Sequence, residues 1–179
     1  MYKTEDSLLI VVDCQERMMP AIHNNTELIE RIATLIKGCR LLELPILTAQ
    51  QYTKGLGDTV SDLKDALGEF EHIEKIAFSC MGEPNFVEKL EQAQRPNIIV
   101  CGVEAHVCVQ QTVLDLLQDG YNVYVIADCI GSRKELDRLY SEHRMRETGA
   151  VLTTMESVLF ELLISADNPK RKDISKLVI

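Results

Sequence analysis

The chain has 179 residues, 46% hydrophobic and 26% charged, the proportions of an ordinary globular protein. Its net charge of −9 disfavours a nucleic-acid groove or an anionic membrane surface, since both need clustered Lys and Arg. No apolar run approaches the roughly 18 residues of a membrane span, and the opening MYKTEDSLLIVV lacks a signal-peptide layout.

The length fits one domain, residues 1–179, that buries a core without disulfides. Its cysteines, at 14, 39, 80, 101, 108 and 129, form no CxxC pair, and several fall inside apolar runs. Free thiols of that kind point to a reducing, cytoplasmic location.

In chain order, Ser7–Val12 is a first strand ending at Asp13. Residues 26–44 carry apolar side chains at helical spacing, with Thr26 as N-cap. A second strand at 45–49 runs into a loop at 50–58 that contains Gly55 and Gly57. A short helix at 60–67 precedes a third strand at 72–78, and Pro84 opens a helix at 85–93.

Residues 98–101, all apolar, have the branching of a central strand. Val109, Val113, Leu116 and Leu117 then recur at helical spacing until Gly120. A fifth strand at 122–127, a helix at 134–148, a sixth strand at 150–153 and a helix at 157–164 follow. The tail from Pro169 reads as a short helix or arm packing on the body or on a neighbour. Six strands separated by helices predict a doubly wound, mostly parallel α/β sheet in a Rossmann-like three-layer arrangement.

Ligands of such sheets bind at the carboxyl ends of the strands. Asp13, Lys75 and Cys108 all stand at strand ends. A thiol where a helix begins faces unpaired N–H groups and the positive end of the helix dipole, which favour the nucleophilic thiolate. Asp13 is then the candidate base, Lys75 its orienting cation, and the N–H groups around Cys108 a candidate oxyanion site. Each residue alone also has a plain structural role: a buried thiol, a loop cap, a solvated charge. The four histidines are scattered with no metal-ligand spacing, and neither a dinucleotide nor a Walker glycine pattern occurs, so no cofactor and no metal are expected.

Around these residues the chain resembles the isochorismatase-like cysteine hydrolases. CGVEAHVCVQQTVLDLLQDGYNVYVIADCIGSR carries the likeness, with LLIVVDCQERM and EKIAFSC in support. The resemblance implies a catalytic triad of Asp13, Lys75 and Cys108, a cis Val103–Glu104 peptide in the oxyanion turn, and a homo-oligomer. The stretch LTAQQYTKGLG lacks the Asp-x-His ligands of the family's metal-dependent nicotinamidases, while retention of Cys108 points away from isochorismate cleavage itself. Met18, Gln51, Tyr52, Phe78 and His106 are candidate pocket residues.

The expected activity is metal-independent cleavage of a C–N bond in a small-molecule amide through an acyl-enzyme. The alternatives are a nicotinamidase or isochorismatase proper, a non-catalytic oligomeric scaffold, and a redox-sensing thiol.

Overall fold

A computed structural model describes residues 3–179. Its strands are β1 Ser7–Val12, β2 Ile46–Gln51, β3 His72–Lys75, β4 Asn97–Val103, β5 Asn122–Gly131 and β6 Val151–Thr153. They form one parallel sheet in the order β3-β2-β1-β4-β5-β6. Parallel neighbours need crossovers. Helices supply most of that path: α1 Asn25–Leu41, α2 Thr53–Leu56, α3 Ser61–Leu67, α4 Pro84–Ala93, α5 Gln110–Gln118, α6 Glu135–Glu147, α7 Met155–Leu163 and α8 Arg171–Val178.

The composition of β1 shows why the sheet is covered on both sides. All six of its residues are buried, and its side chains alternate between two cores. Leu9 and Val11 join Ile32, Leu35, Leu63, Leu159 and Ile174 from α1, α3, α7 and α8. Leu8, Ile10 and Val12 join Leu90, Val113 and Met145 from α4, α5 and α6. Each such side chain contributes roughly 1.5–3 kcal/mol through burial. The tail expected to pack on the body does so as α8, with Ile174 fully buried.

Several boundaries differ from the sequence reading, each for a local reason. β2 continues through Gln51, because the buried Gln15 side chain accepts from the Gln51 N–H and donates to its carbonyl. Part of the expected loop at 50–58 is the helical turn α2. β3 stops at Lys75 rather than residue 78, because the chain curls so that the Ala77 and Phe78 carbonyls accept from the Lys75 ammonium. β5 runs on to Gly131 instead of 127. A register shift in β4 between Val100 and Gly102 lets pairing resume at Gly102 with Ile130 and Val103 with Gly131. Asp128, which reads as a strand end, is held within β5 by the Met155 N–H and the Arg31 guanidinium.

Strand order reverses between β1 and β4, which places a crevice at their carboxyl ends. There the two backbones crowd together. Gly102 has φ +119°, and a Cβ on it would lie 2.1 Å from the Val12 carbonyl oxygen. Gly102→Ala is expected to destabilise the protein by roughly 3 kcal/mol or more. Denaturant unfolding checks this; a loss below about 1 kcal/mol would contradict the crowding.

Candidate active site

Asp13 follows directly from β1 and adopts φ 51°, with its N–H donating to the Ala49 carbonyl at the end of β2. Its side chain is fully buried. Lys75 reaches it from the edge strand β3, across the end of β2, with Nζ donating to Asp13 Oδ2 at 2.7 Å. Lys75 is itself only 1% exposed. Its ammonium is further held by Gln51 Oε1 at 2.7 Å and by the Phe78 and Ala77 carbonyls at 2.9 and 3.3 Å. Three protons shared among four acceptors satisfy a charge that burial would otherwise make costly.

Cys108 comes from the other half of the sheet. The Val103–Glu104 peptide after β4 is cis. Residues Ala105–Val109 then form one wide helical turn before α5, in which the Val109 N–H donates to the Glu104 carbonyl five residues back. The Cys108 carbonyl accepts from Thr112 Oγ1, which in turn accepts from the Cys80 N–H, so the turn is tied to the Cys80–Gly82 segment.

The Cys108 thiol faces the Asp13 carboxylate closely enough for each to shift the other's proton affinity. Asp13 Oδ1 has no well-formed hydrogen bond of its own among the described residues.

These charges reverse one expectation. The start of a helix favours a thiolate, but burial pushes the Cys108 thiol up, the Asp13 charge adds to the rise, and Lys75 only partly offsets it. Burial and the Asp13 charge therefore both favour the protonated thiol. Burial also raises the Asp13 carboxyl, against the pull of Lys75, which makes it a stronger proton acceptor.

Cys108 lines a cavity of about 330 Å³. Met18, Gln51 and Phe78 line it as well, with Glu104 of the cis peptide. Tyr52 and His106 do not appear in its wall. The Tyr52 ring lies beside Gly55, and its backbone N–H donates to the Lys75 carbonyl. His106 turns toward the segment after β5, its Nδ1 2.9 Å from Ser132 Oγ.

Sequence reasoning missed Arg17, Ala21, Ile22, Leu56, Val107 and Arg133. Arg17 stands four residues beyond Asp13, and Arg133 two beyond the end of β5, so distance past a strand end was the available signal. A polar hollow of about 370 Å³ between α1 and α6 contains no thiol, and its Arg31 and Arg138 are both paired with carboxylates.

Among the described residues no three His, Cys, Asp or Glu side chains come together as a metal cluster. The other thiols, Cys14, Cys39, Cys80, Cys101 and Cys129, are free and buried in the two cores.

Because burial and Asp13 hold the Cys108 thiol up, its alkylation by iodoacetamide should keep rising above pH 9 rather than level off at an ordinary cysteine value of about 8.5. Rate against pH, with peptide mapping of the modified site, measures this. A plateau near neutrality would reveal a preformed thiolate.

The isochorismatase domain model matches residues 7–157. Isochorismatase domain-containing protein 2 of Danio rerio is 38% identical over 175 residues, covering 98% of this chain and 88% of that protein. The secreted isochorismatase effector Isc1 of Phytophthora sojae is 36% identical over 177 residues, covering 96% and 84%. Among solved structures, the MAR1 ribonuclease of Caenorhabditis elegans is 39% identical, with a TM-score of 0.93 over 99% of this chain and 91% of that one. By its domain match, its relatives and its parallel six-stranded fold, this chain belongs to the isochorismatase family of hydrolases.

Proposed function

We propose that the protein is a metal-independent cysteine hydrolase that cleaves a C–N bond of a small amide, with Cys108, Asp13 and Lys75 as its catalytic triad. The observation carrying this reading is a thiol facing a buried, Lys75-held carboxylate at the wall of a cavity.

Cys108 Sγ forms a bond to the substrate carbonyl carbon while its proton passes to Asp13. N–H groups of the turn around Cys108 receive the developing oxyanion; those of Val107 and Val109 already donate to Glu104. The C–N bond then breaks, and Asp13 returns the proton to the leaving amine. Water, deprotonated by Asp13, cleaves the thioester to release the acid and restore the thiol. Lys75 keeps the Asp13 carboxylate oriented throughout.

Two other readings have less support. A polynucleotide substrate, as the name of the nematode relative would imply for that protein, fits poorly with a net charge of −9 and a cavity of about 330 Å³. A redox-sensing role requires an accessible, low-pKa thiol, whereas burial raises Cys108 and pushes its neighbour Cys80 up to about 12.

Self-association is also part of the proposal. Leu136, Leu139 and Tyr140 form an exposed apolar stripe on α6. Six free thiols fit a cytoplasmic, reducing setting, although one relative is described as secreted.

Against a panel of small amides and carbamoyl compounds, Cys108→Ala is expected to abolish turnover. Asp13→Asn should lower kcat by roughly 10²–10⁴ with little change in KM, since proton transfer contributes in the transition state. Full activity of Cys108→Ala on any substrate found would end the nucleophile assignment. An oligomeric scaffold without catalysis would show no preferential alkylation of Cys108 over the five other thiols.

A further inference from the structure

The charges around the cavity are unevenly matched. Lys75 is paired with Asp13 at 2.7 Å, and Arg133 with Glu104 at 2.7 Å. Arg17 lines the same wall and has no carboxylate partner among the described residues. Its Nη1 donates to the Gly55 carbonyl at 2.7 Å, which leaves the rest of the guanidinium fork uncommitted.

The Arg17 backbone is fixed too, its N–H donating to the Leu56 carbonyl, while Gln15 beside it clamps the Gln51 and Gly57 carbonyls. A guanidinium anchored through one nitrogen on a stapled backbone is preorganised for a planar anion. The remaining wall is largely apolar, from Met18, Ile22, Leu56 and Phe78. Of the charged side chains on the wall, Arg133 and Glu104 pair with each other, which leaves the exposed Arg17 as the cation not matched there by a carboxylate.

We propose that Arg17 is the specificity-determining residue of this site and that it selects an anionic substrate, a small amide with a hydrocarbon body and a carboxylate. This inference rests on the cysteine-hydrolase reading and narrows it. The carboxylate pairs with the free edge of the Arg17 fork, the hydrocarbon lies against the apolar wall, and the amide carbonyl is presented to Cys108. Substrates that lack the anion leave Arg17 exposed to water and gain nothing from it.

Two alkylating agents of similar size, one anionic and one neutral, test the idea whatever the natural substrate is. Iodoacetate and iodoacetamide each react with Cys108 by forming an S–C bond and expelling iodide. The ratio of their rate constants at Cys108, divided by the same ratio for glutathione, isolates the preference of the cavity for an anion.

The expected result is a normalised ratio that falls about tenfold in Arg17→Gln, which is about 1.4 kcal/mol of differential binding, and is largely kept in Arg17→Lys. A ratio unchanged within twofold in Arg17→Gln overturns the proposal, and so does a loss in Arg17→Lys as large as in Arg17→Gln. Failure of both reagents to reach Cys108 in the folded protein is a separate outcome; it removes the nucleophile reading and this assignment with it. In the amide screen, compounds bearing a carboxylate should exceed their methyl esters in kcat/KM, and Arg17→Gln should narrow that gap through KM.

Discussion

The buried contact between Asp13 and Lys75 is what the rest of the site is arranged around. Moving either ion out of water carries a penalty of several kcal/mol, and mutual attraction compensates only if the remaining hydrogen-bonding capacity is filled. Lys75 meets that condition, with Gln51 and two carbonyls beyond β3 completing its shell. Asp13 meets it on one side only, through Oδ2, while Oδ1 has no well-formed bond. The Cys108 thiol faces the same carboxylate. An incompletely solvated carboxylate oxygen beside a thiol is a proton acceptor held ready, at a cost in stability that a purely structural ion pair would not carry.

That view also settles which form of the sulfur matters. Cysteine nucleophiles are often prepared as thiolates by a neighbouring cation or a helix start. Here the cation is spent on the carboxylate, and the carboxylate's own charge opposes a second anion next to it. In the mechanism proposed above, removal of the proton and attack by sulfur then belong to one event, with the negative charge passing from Asp13 through sulfur to the substrate oxygen. Low dielectric around the pair strengthens each of these interactions.

Much of the fold is legible in the sequence because its signals are local. Continuous apolar runs such as Leu8–Val12 and Ile98–Cys101 can only be satisfied by covering both faces, and their spacing forces crossovers. Asp13 stands out for the same reason, as the polar residue directly after such a run; Lys75 lies late in its run, and Cys108 is marked by the helical spacing that begins beside it. The illegible features depend on distant partners. The end of β3 at Lys75 is not announced by the apolar pattern, because the chain curls there around an ammonium that also reaches Asp13 sixty-two positions away. The extension of β5 past Asp128 requires Arg31 and Met155. Proximity along the chain puts Tyr52 and His106 in the cavity wall, but the Tyr52 ring lies beside Gly55 and His106 Nδ1 meets Ser132 Oγ. The suppression of the Cys108 thiolate needs three dimensions as well, since helix position argues one way and burial the other.

The segment that closes one side of the cavity has little freedom to move. Gln15 is fully buried, bonds the Gln51 and Gly57 carbonyls, and bridges to Thr59, while Glu16 and Arg17 donate to the Asp58 and Leu56 carbonyls. That wall is riveted at several points and cannot swing as a flap without breaking all of them together. On this side the boundary of the cavity is therefore rigid, and a guest must conform to it rather than the reverse.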